Sequence, residues 1–185
     1  MRVISGKYRG MNLSGPEGSD TRPTSDRVKE ALFDILMWDV DGSRFLDLFA
    51  GTGGIGIEAL SRNAEEVVFV DFDGSALKIL KSNLAKIDEK ENYDILHNDA
   101  FRAVDTLSSR GKIFDIIFLD PPYAMEETLE LIENIFDREI IANYGKMVVE
   151  HDKRKEMPEN IRGLIKLKQK KYGNTMLSIY GMEEN

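Results

Sequence analysis

The chain has 185 residues, 42% of them hydrophobic, enough for the core of one α/β domain and too many for a disordered chain. Its net charge of −8 disfavours a polyanionic partner unless the charge is unevenly spread. With no cysteine, no membrane-length apolar run and no signal-peptide core at Met1–Gly6, it excludes disulfides and thiolate metal sites, and a cytoplasmic protein without metal or membrane partner is expected. From the N-terminus, a polar, glycine-rich stretch (5–22) lies between short strand candidates. A helix follows from about Ser25 to Met37, with Ser25 or Thr24 as N-cap and Trp38 as a packing residue at its end. Phe45–Phe49 is a short buried strand, followed by a glycine loop and a helix over Ile55–Arg62. Val67–Asp71 is the second strand, with a helix over about 74–87, and Tyr93–His97 the third, with a helix over Ala100–Ser108. Phe114–Leu119 is the fourth, before an amphipathic helix over Glu126–Asp137, and Lys146–Glu150 the fifth. The last two candidates, 161–169 and 175–180, are joined by a segment too short for a helix, so they pair as an antiparallel hairpin.

Strands that alternate with helices and read as continuous apolar runs imply a parallel sheet covered on both faces. The order resembles the class I methyltransferase variant of the Rossmann fold. We therefore expect an α/β fold with a seven-stranded, mostly parallel sheet, one antiparallel strand and helices on both faces. One domain spans 1–185, with residues 1–40 as a small N-terminal extension and 41–185 as the Rossmann-like core. Charge divides along the same lines. Residues 1–29 hold six Lys/Arg against three acids, and residues 151–173 hold eight against three. The acids are concentrated between these flanks, so phosphate can be met through the two ends of the chain.

Gly51-Thr52-Gly53-Gly54-Ile55-Gly56 matches G-x-G-x-x-G directly after a strand and at the start of a helix, the context the motif needs. Asp71 ends the next strand, placed to accept hydrogen bonds from ribose hydroxyls. The run Leu46-Asp47-Leu48-Phe49-Ala50-Gly51-Thr52-Gly53 resembles motif I of the methyltransferases, where the acid lies on the methionine side of S-adenosylmethionine. A pyrophosphate site has no use for an anion at Asp47. Asp99, after the third strand, is where this fold places a group on the adenine amine. The expected cofactor contacts are Asp47, Phe49, Gly51, Thr52, Gly53, Asp71, Phe72, Asp99 and Ala100, with S-adenosylhomocysteine as the product.

Asp120-Pro121-Pro122-Tyr123 follows the fourth strand at the sheet's C-terminal edge, where ligands of open α/β sheets bind. It resembles the (Asp/Asn)-Pro-Pro-(Tyr/Phe) motif of amino-group methyltransferases. The lone pair of a base amine is delocalised into the ring. Hydrogen bonds to the Asp120 carboxylate and the Pro121 carbonyl favour a pyramidal nitrogen for in-line transfer, and Asp120 can take the departing proton. Tyr123 is placed to stack on a base that has left its helix. The motif alone leaves adenine N6, guanine N2 and, in its Asn form, protein glutamine open as targets.

Arg2–Gly10 and Thr21–Phe33, with Asp47–Gly53, Asp120–Tyr123 and Lys171–Thr175, resemble the RsmD family of bacterial 16S ribosomal RNA guanine-N2 methyltransferases over nearly the whole chain. Arg22-Pro23-Thr24 is the most discriminating part. The resemblance implies a guanine of small-subunit rRNA as target, within an assembling subunit. Arg22, Pro23, Thr24, Arg27 and Tyr172 are the expected substrate-binding residues, while His97 and His151 read as structural or surface residues. A monomer is expected. The alternatives are an adenine-N6 methyltransferase on DNA or RNA, and a cofactor-binding assembly factor without catalysis.

Overall fold

The computed structural model describes residues 1–15, 26–88, 91–122 and 124–182. Among these residues, five helices and eight strands follow one another as α1 (Asp26–Ile35), β1 (Arg44–Asp47), α2 (Gly54–Ser61), β2 (Glu66–Asp71), α3 (Gly74–Leu84), β3 (Tyr93–His97), α4 (Ala100–Ser109), β4 (Phe114–Leu119), α5 (Thr128–Asp137), β5 (Ile141–Asp152), β6 (Asn160–Ile161), β7 (Leu164–Tyr172) and β8 (Thr175–Met182). The strands form one sheet in the order β3-β2-β1-β4-β5-β8-β7-β6. β1 to β5 pair parallel, and β8 enters antiparallel to β5.

Two details correct the expectation of seven strands with one antiparallel. The eighth strand is the two-residue β6, and both β8 and β6 run against the parallel set. β5 also begins earlier than its apolar run suggests, because Ile141 pairs with Phe114 before a register shift carries the ladder to Lys146.

Side-chain alternation along the strands sorts the core into two layers. Phe45, Val67, Phe69, Ile116, Phe118, Val148, Leu177 and Ile179 face α1–α3. Leu46, Val68, Val70, Ile117, Leu119, Met147, Val149 and Tyr180 face α4 and α5. Trp38 belongs to neither layer: it is 87% exposed, so the packing role expected of it does not hold.

The N-terminal residues form a tight hairpin, with Val3 donating to the Met11 carbonyl and Gly10 to that of Val3. This hairpin sits on α2. Glu58, fully buried, accepts from the Ile4 and Ser5 amides at 2.7 and 2.9 Å and from Arg62 at 2.9 Å. Buried Lys29 from α1 lies 3.5 Å from the same carboxylate and donates to the Arg2 carbonyl. Burial lowers the Lys29 pKa, opposed chiefly by the Glu58 charge. A buried charge is tolerated only when it is paired in this way.

Candidate active site

The strand order reverses between β1 and β4, and the crevice outside the C-terminal ends of those strands is where such sheets hold ligands. Asp47 is the last residue of β1 and pairs with Phe69 on one side and Phe118 on the other. Asp71 and Asp120 each lie two residues further along those neighbours, so the three acids meet at the switch point. Asp71 in turn pairs with His97, and Asp99 follows two residues on. The expected acids therefore form a row across four adjacent strand ends.

Asp47 is the most constrained of them. Its side chain is buried, and Oδ2 accepts from the Gly56 amide at 3.0 Å. Oδ1 has no hydrogen-bond partner among the described residues. Burial pushes its pKa up to about 7, opposed by the Gly56 bond and reinforced by the charges of Asp120 and Asp71. An unpartnered buried carboxylate oxygen is costly, and a cationic or N–H donor supplied by a ligand would remove that cost.

The glycine loop divides its work. Gly51, at φ +53°, donates its N–H to Asp71 Oδ2 at 2.7 Å, and a Cβ there would meet nothing within 4 Å. That open side lets a ligand approach the backbone. Gly53, at φ +88°, precedes α2 and would bring a Cβ within 2.3 Å of Leu80. A Cβ on Gly56 would lie 2.2 Å from the Phe69 ring. Gly53 thus makes room for α3 beside the loop, and Gly56 for the packing of α2 on β2.

Asp71 Oδ1 accepts from the Asp73 amide at 2.9 Å, so backbone donors hold both oxygens in place. A carboxylate has about four lone-pair sites, which leaves capacity for ribose hydroxyls. Asp99 caps α4 by accepting from the Arg102 amide at 3.0 Å, a structural task the sequence reading did not foresee. Phe72 is exposed beside Asp71, Phe49 is half-buried, and Ala100 and Thr52 are buried. Asp120 and Pro121 are half-buried just beyond β4, and the Pro122 carbonyl accepts from the Met125 amide at 2.8 Å. Arg27 and Tyr172 line one groove between α1 and β7. Arg22, Pro23, Thr24 and Tyr123 lie outside the described residues. His97 bonds the Phe72 carbonyl at 2.9 Å, and His151 is buried against Ser178 Oγ at 2.8 Å.

Asn83 was missed. Its buried amide donates to the Thr52 carbonyl and the Ser14 carbonyl, both at 3.0 Å, and accepts from the Ser14 amide at 2.8 Å. It ties the glycine loop to the N-terminal segment. No sequence signal marks it, since its partners lie 31 and 69 positions away. Asn83→Ala leaves buried groups unpaired at a cost of about 2–3 kcal/mol, and a Tm lower by roughly 5–10 °C is expected in calorimetry.

Strand-end acids around a glycine loop, on this sheet order, define the class: a Rossmann-like methyltransferase fold. The family model described as conserved hypothetical protein 95 matches residues 1–181, and the chain belongs to that family, the RsmD family. A Bacillus subtilis (strain 168) protein named putative rRNA methyltransferase YlbH is 42% identical over 97% of this chain and 98% of its own. The Haemophilus influenzae protein named ribosomal RNA small subunit methyltransferase D is 34% identical over 86% and 84%. Among solved structures, one titled putative methyltransferase yhhF from Escherichia coli superposes with a TM-score of 0.87 at 29% identity, covering 100% of this chain and 99% of that one.

Proposed function

We propose that this protein methylates the exocyclic N2 amine of a guanine in small-subunit rRNA, using S-adenosylmethionine. Family membership and the rRNA methyltransferase names of its relatives support the coarser part, methyl transfer to rRNA. The observation that carries the site assignment is Asp120-Pro121 just past β4, at the switch point beside buried Asp47 with its unpartnered oxygen.

The residues fit the cofactor. Asp47 Oδ1 would accept from its ammonium group, Asp71 from its ribose hydroxyls, and Asp99 from its adenine amine, while Gly51 leaves the backbone open to it. When bound, it supplies an electrophilic methyl on a sulfonium centre. The Asp120 carboxylate and the Pro121 carbonyl accept the two N–H bonds of the target amine, holding its lone pair out of conjugation. Asp120 then receives the departing proton. Proline at 121 and 122 removes two amide donors that would compete for these acceptors.

Nucleoside analysis of rRNA from a strain lacking the gene tests this reading. One N2-methylguanosine should be missing from the small-subunit RNA, and the purified protein should restore it on that RNA or on subunits from the same strain. A missing N6-methyladenosine would move the target to adenine. An unchanged set of rRNA nucleosides would overturn the proposal.

A further inference from the structure

We infer that the groove between α1 and β7 is a track for single-stranded RNA, with the phosphodiester backbone lying along the β7 wall. The inference rests on the proposed rRNA substrate and names the surface that carries that substrate to the site. The groove has a volume of about 370 Å³ and is open to solvent. Arg27, Glu30 and Asp34 line its α1 side, and Lys168, Lys170 and Tyr172 its β7 side.

A β-bulge builds the basic wall. In an unbroken strand, side chains alternate, so Lys166, Lys168 and Lys170 would share a face. The register of β7 against β8 shifts between Lys166 and Lys168, with Lys166 opposite Tyr180 and Lys168 opposite Ile179. Tyr180 and Ile179 belong to opposite core layers. Lys166 therefore turns to the α5 side, where it bonds Glu159 at 2.6 Å and the Met157 carbonyl at 2.7 Å. Lys168, Lys170 and Tyr172 turn to the α1 side.

Neither lysine in the groove makes an ion pair or hydrogen bond among the described residues, although Glu30 and Asp34 stand on the opposite wall. The cleft is wide enough to keep the two signs apart, and it leaves two exposed cations unneutralised. A polyanion settles on the β7 wall, because the α1 acids repel it from the other. Tyr172 packs one side on the core and offers the rest of its ring to the groove, a platform on which any base can stack. β7 runs parallel to β5, so Tyr172 and Arg27 stand at the sheet edge that holds Asp47 and Asp120. The track thus opens at the same sheet edge as the proposed chemistry, with β5 and β8 between β7 and β4.

Binding of a fluorescein-labelled single-stranded RNA of mixed sequence, followed by anisotropy over a series of salt concentrations, tests this directly. Lys168→Ala/Lys170→Ala should bind on the order of tenfold more weakly at about 0.1 M salt. The slope of log affinity against log salt should be shallower by about 1.4, since each single-strand phosphate contact contributes about 0.7. Both lysines are exposed, so the fold is retained, which an unchanged Tm verifies. Lys78→Ala/Lys81→Ala on α3 removes equal charge elsewhere and should bind like the parent. Photocrosslinking with 4-thiouridine RNA should label the peptide that carries Tyr172. Unchanged affinity and slope in the β7 variant, or equal losses in both variants, would overturn the groove. Because binding is read without methyl transfer, the two proposals fail separately. RNA held in this groove by a protein that methylates no rRNA would overturn the proposed function alone. rRNA methylation with an unchanged RNA KM in the β7 variant would overturn the groove alone.

Discussion

Asp120→Ala is expected to lower kcat for methyl transfer to rRNA by about three orders of magnitude, with binding of RNA and cofactor within a few fold of the parent. Two losses combine in that figure. A well-placed acceptor at a centre where positive charge develops is worth about 10²–10³ in rate, and general-base help about 10²–10⁴, and one carboxylate supplies both without full additivity. Asp120→Asn separates them, because the amide still accepts one N–H bond but takes up no proton; a loss intermediate between parent and alanine is expected. The activity is expected to be lost without loss of the fold. The Asp120 charge raises the pKa of Asp47, so its removal relieves a repulsion in the folded state. An unchanged or higher Tm with kcat lost is therefore the expected pair of results, and single-turnover methyl transfer beside calorimetry measures both. Alanine at 120 with parental kcat would remove the amine-holding role from this residue.

The parallel half of the fold was legible because central strands buried on both faces leave near-continuous apolar runs, and β4 begins and ends where its run does. β6 left no such signal: its two residues become a strand only through pairing with Leu164 and Ile165. The row of acids was legible for a related reason, since a strand followed by a short loop fixes where the C-terminal edge lies. Their individual duties were harder to read. Asp99 spends one oxygen on capping α4, and the second and fourth glycines of the loop answer to Leu80 and Phe69, which only tertiary packing brings near. The same limit applies to Asn83, Glu58 and the groove lysines. Their roles depend on partners distant in sequence or on a bulge, and neither leaves a periodic trace.

The other large effect lies at Asp47. Its folded pKa is about 7, raised first by burial, against about 3.9 in an unfolded chain. Between those values the folded protein keeps a proton that the unfolded chain has released. Stability of the ligand-free protein therefore falls as pH rises from about 4 to about 7 and levels off above, a loss on the order of 4 kcal/mol from this group. Asp47→Asn removes the titration while retaining an acceptor for the Gly56 amide, at a cost of about 1–3 kcal/mol for the new unpaired N–H group. A Tm several degrees above the parent at pH 8, with no advantage near pH 4, is expected in calorimetry. Cofactor binding should move the other way. A cationic amine at Oδ1 needs the carboxylate, so parental affinity for S-adenosylmethionine should fall about tenfold per pH unit below 7, with protons released on binding. The asparagine variant should bind roughly thirtyfold more weakly at pH 8, the value of one charge-assisted hydrogen bond of about 2 kcal/mol. Titration calorimetry in two buffers of different ionisation enthalpy reads affinity and proton release together. A stabilised protein that binds its cofactor this much more weakly would mean that the fold keeps a buried, half-partnered carboxylate for the ligand at the expense of its own stability. Parental affinity in the variant would leave Asp47 as a structural acid and move the ammonium group elsewhere.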